Sequence, residues 1–225
     1  PGARSMPSNV HLYDVSNTEA PAWLGSVSVA NSAGQGALQR LALRGNRIYT
    51  GTLRRGIQVI DVDQLRALMV PCCSNAHFKM RSDLNLDGQG FGAEAITATI
   101  PVPGPNGLPA SFTGLKTIAT GAEPLIVAVG NFGLALARES APGAAHVWHP
   151  EKDGINLESA TALDVADIGG YSLAVVAGYG AGHQQLMVVD VTDPATPFVR
   201  SVREIAGDLG VVDVLTDGAT VYVST

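Results

Sequence analysis

The sequence predicts an all-β chain, a β-propeller with about four blades visible, and three observations predict it. One strand motif occurs three times, as Leu12-Tyr13-Asp14-Val15, Val59-Ile60-Asp61-Val62 and Val188-Val189-Asp190-Val191. Hairpins of apolar strand, tight turn and apolar strand alternate with it. The spacing recurs: Asp14 to Asp61 is 47 positions, Val175 to Tyr222 is 47, and Val127 to Val175 is 48. A period of that length with several strands per unit is the length of a propeller blade.

The elements follow in order. The first motif strand runs into Ser16-Asn17 and Pro21, as the last runs into Thr192-Asp193 and Pro197. The Asp that ends each copy precedes a turn, where its carboxylate can accept backbone N–H bonds. Leu41 to Leu43 turn at Gly45-Asn46 into Ile48-Tyr49, because such turns need positive φ. Asp63 is placed to cap a short helix from Gln64 to Val70, stopped by Pro71. Residues 63–95 form an insertion, since this unit carries about 31 residues more than the others. Ile96 to Ile100 alternates like a strand, and Pro101 to Pro109 reads as an exposed connector. Thr117 to Ala119 turn through Gly121 to Pro124 into Leu125 to Val129. A degenerate copy of the Asp-Val strand is expected near Ala145-His146-Val147-Trp148. Leu163 to Val165 turn at Gly169-Gly170 into Leu173 to Val176, and Val211 to Leu215 turn at Asp217-Gly218 into Val221-Tyr222-Val223. The whole of 1–225 therefore reads as one propeller segment with an insertion at 63–95. Because closed propellers usually need more than four units, a piece of a larger propeller is favoured over a complete four-bladed ring.

Composition narrows the function. The chain is 46% hydrophobic and 15% charged, which supports a packed core and excludes a disordered chain. The net charge is −6 with no basic stripe, which argues against a nucleic-acid partner. No apolar run reaches the roughly 18 residues of a membrane helix. The two cysteines are the neighbours Cys72 and Cys73. They read as reduced thiols, as a strained vicinal disulfide, or, with His77, as part of a metal site.

The insertion carries the clearest chemical pattern. Residues 83–94 match the twelve-residue calcium loop D-x-[DN]-x-[DN]-G-x5-E. Asp83, Asn85 and Asp87 at positions 1, 3 and 5 can converge from a curled backbone. Gly88 permits the sharp turn, Gln89 offers its carbonyl, and Glu94 closes the shell with both oxygens. Position 8 is Gly90 where EF-hands carry an apolar residue, and the stretch after Glu94 alternates like a strand. The loop is therefore EF-hand-like in pattern and more similar to the calcium loops of integrin propellers. An ion there would offset the ordering entropy of a long insertion.

Two apolar residues, Asp-Val, Ser/Thr-Asn/Asp and then Pro make the chain resemble the LVIVD-repeat family of bacterial surface propellers, best at 10–62 and 186–225. That resemblance implies an extracellular or cell-surface protein. The expected function is a non-catalytic propeller, braced by calcium, that acts as a scaffold or interaction module for a protein or surface partner, or for other domains of a larger chain. The alternative is a propeller hydrolase or lactonase with a metal in its central channel, for which Asp164, Asp167, His183 and Asp213 are the candidate side chains. His146 and His149 form a weaker metal candidate. Gly178 to Gly182 only weakly resembles a phosphate-binding loop, because no helix follows it.

Overall fold

A computed structural model of the chain describes residues 9–28, 38–67, 93–120, 122–143, 145–180, 182–205 and 210–225. Strand formation follows the turns. β1 (Asn9–Asp14) pairs antiparallel with β2 (Ala22–Ser28). The Asp14 carboxylate accepts the Ser16 N–H at 2.8 Å and Asn17 Oδ1 accepts the Glu19 N–H at 3.1 Å, which tightens the connection between them.

A four-stranded antiparallel meander follows, made of β3 (Leu38–Arg44), β4 (Arg47–Thr52), β5 (Gly56–Asp61) and β6 (Ile96–Ile100). Gly45 takes φ +54° in the first hairpin turn. A short helix, α1 (Val62–Ala67), leaves the end of β5 and buries Val62 and Leu65. Its cap is Asp61, whose carboxylate accepts the Gln64 N–H at 2.9 Å, so the expected helix from Gln64, capped by Asp63, is shifted towards the N-terminus.

The second four-stranded meander comprises β7 (Phe112–Ile118), β8 (Leu125–Gly130), β9 (Gly133–Ala137) and β10 (His146–Trp148). A two-residue-per-strand hairpin, β11 (Glu151–Lys152) with β12 (Ile155–Asn156), leads to the third meander. That meander is β13 (Ser159–Ile168), β14 (Tyr171–Gly180), β15 (His183–Asp190) and β16 (Phe198–Glu204). A final hairpin pairs β17 (Asp213–Asp217) with β18 (Thr220–Ser224).

The core lies between the layers. Val59, Ile100, Phe112, Ile126 and Phe132 fill the space between the first and second meanders. Leu125, Leu134, Leu157, Leu163, Val176 and Met187 fill that between the second and third. The first strands of successive sheets, β3, β7, β13 and β17, lie side by side. Polar side chains clamp these strands. Gln39 Oε1 accepts the Phe112 N–H at 2.7 Å and Arg40 Nε donates to the Thr113 carbonyl at 2.6 Å. Thr113 Oγ1 donates to the Ala160 carbonyl at 2.6 Å. Close approach also explains glycines that read as a loop in the sequence. A Cβ on Gly178 would lie 2.1 Å from the Ser159 carbonyl oxygen, and one on Gly180 would lie 1.5 Å from that of Asn156. Both positions are strand backbone packed against backbone within β14.

These observations correct the β-propeller expectation. The described sheets are separate antiparallel layers of unequal size, three with four strands and three with two, and no pairing closes them into a ring. The blade equivalence implied by the 47-residue spacing is thus limited to local strand pairing. The spacing encodes hairpins, which are local; closure needs contacts between distant strands, about which a local motif is silent.

The local pairing itself recurs closely. Each pairing that follows a motif strand carries a one-residue bulge at the same place, after Leu12, after Val59 and after Val188. The degenerate fourth copy, however, is not at Ala145 to Trp148. Val127, which matches Val175 and Tyr49 in register, pairs with Leu136, so β9 takes the motif position and β10 is the outer strand. Arg138 then stands where Asp61 and Asp190 stand elsewhere. Its guanidinium donates to the Thr120 carbonyl at 3.3 Å and to the Glu123 carbonyl at 2.6 Å. An acid here would face those carbonyls. Arg138→Asp is therefore expected to destabilise by about 1 to 2 kcal/mol, measured by urea denaturation, although it restores the repeated residue.

Candidate functional site

Two features stand out, a cleft and an aromatic platform. The cleft has a volume of about 360 Å³ and lies over the first strands, lined by Arg40, Leu41, Lys116, Leu163, Val212 and Asp213 among others. Of the four side chains considered for a hydrolase, Asp213 lines the cleft, and Asp164 is engaged with Thr216 and with the cleft residue Lys116. Asp164 is buried on β13. Its Oδ2 accepts the Thr216 N–H at 2.6 Å and the Thr216 hydroxyl at 2.8 Å, and its Oδ1 lies 3.1 Å from Lys116 Nζ. Burial alone would raise the Asp164 carboxyl. The Thr216 N–H, the Thr216 hydroxyl and the Lys116 ammonium outweigh it and hold the carboxyl below its ordinary value. The acid is thus ionised, fully partnered and committed to fastening β17 onto β13.

The other two candidates are elsewhere. Asp167 accepts a hydrogen bond from Ser172 Oγ at 2.9 Å near the β13–β14 turn, and His183 is exposed at the start of β15. No nucleophile and base are brought together by these residues. Among the described residues no group of three His, Cys, Asp or Glu could hold a metal ion, which leaves His146 and His149 without a third ligand. The hydrolase or lactonase reading is therefore corrected: among the described residues there is neither a closed channel nor a ligand set to carry it.

The calcium-braced scaffold reading is corrected with it, because there is no propeller for an ion to brace. Asp83, Asn85, Asp87 and Gln89 lie outside the described residues, as do Cys72, Cys73 and His77. Glu94 sits exposed in a single 3-10 turn, Ala93–Ala95. Calcium at the loop stays an expectation of the sequence.

The platform was not visible in the sequence. The bulge in the β15–β16 pairing falls at Arg200: Val189 pairs with Val199 and Val188 with Ser201, which leaves Arg200 as the extra residue. The bulge aims its side chain over the third meander. The guanidinium carbon lies 3.9 Å from the centroid of Tyr171 and 5.3 Å from that of Phe198. Asp190, buried at the end of β15, holds it from below, with Arg200 Nε and Nη2 donating to Oδ2 at 2.8 and 2.5 Å. Asp190 Oδ1 also accepts the Thr192 N–H at 3.0 Å. Burial pushes the Asp190 carboxyl up, and the Thr192 and Arg200 hydrogen bonds more than reverse it, leaving it below the usual carboxylate range. Both aromatic rings stay about half exposed. The one sequence signal was Phe198 and Arg200 two apart on a strand, hence on one face, beside a motif Asp.

The sequence matches no protein-family model and no curated protein. The resemblance to LVIVD-repeat surface propellers is accordingly withdrawn: neither a family match nor a closed set of blades supports it. Among the described residues no helix is long and apolar enough to cross a membrane.

Proposed function

We propose that the chain is a protein-binding module whose docking face centres on Tyr171, Phe198 and Arg200. One observation carries the reading: a guanidinium pre-oriented by a buried carboxylate, set between two half-exposed aromatic rings. Tyr and Arg are enriched at the few residues that dominate protein interfaces. Preorganisation favours binding because little side-chain entropy is lost when a partner docks. The fitting partner is a protein surface offering an apolar side chain to the rings and a carboxylate to the free edge of the guanidinium. The net charge of −6 and the absence of a basic stripe weigh against nucleic acid.

A photo-crosslinking residue at Phe198, followed by mass spectrometry, identifies what docks there. Calorimetry with that protein then measures its affinity for Arg200→Ala and Tyr171→Ala. Each variant is expected to lose about 30-fold, on the order of 2 kcal/mol. Leu43→Ala, an exposed apolar residue on β3, is expected to bind as the parent does. Equal affinity in all three variants would refute the assignment of this face.

A further inference from the structure

The pair Asn-Gly occurs once in the chain, at Asn106-Gly107, in the connection between β6 and β7. Both residues have positive φ, +53° at Asn106 and +76° at Gly107, and the Leu108 N–H donates to the Pro105 carbonyl at 2.9 Å. That is a type I′ turn, the conformation Asn-Gly favours. Residues 106–108 are exposed, and among the described residues the Asn106 side-chain amide has no hydrogen-bond partner. We propose that Asn106 deamidates spontaneously in the folded protein, through local opening of this turn.

The chemistry needs only water and hydroxide. Hydroxide takes the Gly107 N–H proton, and the nitrogen attacks Asn106 Cγ. The N–Cγ bond forms, the Cγ–Nδ2 bond breaks, and Nδ2 leaves as ammonia. Water then opens the cyclic imide at either carbonyl. Cleavage of the new N–Cγ bond leaves aspartate. Cleavage at the main-chain carbonyl leaves isoaspartate, whose backbone runs through Cβ and Cγ. Either way an amide becomes a carboxylate, ionised at neutral pH. Glycine favours the attack because no Cβ crowds its nitrogen. The approach is open as well: a Cβ built on Gly107 meets nothing within 4 Å.

The turn itself sets the rate. Asn106 has ψ +32°, which places the Gly107 nitrogen nearly anti to Cβ about the Cα–C bond. A five-membered imide needs the two nearly eclipsed, so the turn must open first. Opening is local, because the Leu108–Pro105 hydrogen bond closes the turn and its residues are exposed. The base of the loop stays fastened by the Pro103–Pro109 bridge and by Asn131. Asn131 Nδ2 donates to the Pro109 carbonyl at 3.2 Å, and its Oδ1 accepts the Ser111 N–H at 2.8 Å. Asn131 is the contrast to Asn106, since both ends of its amide are engaged and Phe132 follows it.

Incubation of the 225-residue chain at mildly alkaline pH tests this, read by peptide mass spectrometry and isoaspartyl methyltransferase labelling. Asn106 is expected to convert to aspartate and isoaspartate ahead of Asn131 and Asn156, which Phe132 and Leu157 follow. The rate is expected to rise with hydroxide, and to rise again in urea, where the turn is lost. Asn106→Gln, which needs a larger ring, is expected to abolish the signal at this position. Asp164→Ala weakens the fold outside this loop and is expected to leave the rate at Asn106 unchanged. A route through global unfolding would instead raise that rate by roughly 30-fold. Such a rise would overturn the proposal. So would an Asn106 that stays intact in the folded chain, or other asparagines that react first. A folded chain that reacts as fast as the urea-unfolded one would overturn control by the turn.

Discussion

Phe112→Ala is expected to be the most damaging single substitution in the fold, lowering stability by about 3 to 5 kcal/mol. Phe112 begins β7 and is fully buried between the first and second meanders. Its ring meets Phe132 edge to face, with centroids 5.1 Å apart and planes at 64°. On the opposite side it lies against Gly51 of β4. A Cβ at Gly51 would sit 2.8 Å from Phe112 Cγ, so the ring occupies the space a side chain would otherwise fill. Truncation leaves a cavity bounded by backbone, which cannot collapse cheaply. The backbone N–H of residue 112, the donor to Gln39 Oε1, is kept in the variant, so the loss reports packing. Urea denaturation followed by far-UV circular dichroism measures the effect. Gly51→Ala with Phe112→Leu offers a check on the cause: if packing volume is what matters, the pair recovers part of what Phe112→Ala loses. A loss below about 1 kcal/mol for Phe112→Ala would mean that the two layers hold together without this contact.

How much of this was legible follows from which interactions are local. The hairpins at Gly45-Asn46, Gly169-Gly170 and Asp217-Gly218 form where turn chemistry places them, since positive φ is a property of a few adjacent residues. The motif Asp residues do accept backbone N–H bonds, from Ser16, Gln64 and Thr192. Reading by residue type failed where the type changed. Arg138 occupies the Asp position in β9, so residue type points to Ala145 to Trp148, one strand too far out. The arrangement of the sheets was illegible because it rests on contacts such as Thr113 to Ala160 and Asp164 to Thr216, between residues far apart in sequence. The same holds for the site. Of the candidates Asp164 and Asp213 only Asp213 lines the cleft, and residue identity says nothing of Thr216 and Lys116, which consume the Asp164 carboxylate. Tyr171 and Arg200 meet only because a bulge turns Arg200 out of register, and a bulge is a property of the pairing, not of one strand.

Asp164 yields the second large effect and a pH signature. Asp164→Ala is expected to cost about 2 to 3 kcal/mol at neutral pH, since it strands the Thr216 N–H and removes the partner of Lys116. Lys116 is half-exposed and regains water, which keeps the cost below that of breaking a fully buried ion pair. The sign of the pH dependence follows from the depressed carboxyl. Folding favours the ionised form, so the unfolded chain binds the proton more readily. The contribution is therefore complete above the unfolded pKa and is lost as pH falls through the lower folded one. Asp61, Glu123 and Asp190 are depressed too, so the parent's acid limb sums several groups. The difference between parent and Asp164→Ala isolates one of them. That difference is expected to be constant from neutral pH down to the ordinary carboxylate range and to shrink below it. Denaturation curves at a series of pH values measure it directly. If the difference is instead the same at every pH, the carboxylate's charge contributes nothing and Asp164 fastens β17 by packing alone. The distinction matters for the cleft: a charge-dependent clamp ties the β17–β18 hairpin, which carries the cleft residue Asp213, to the ionisation of a single buried acid.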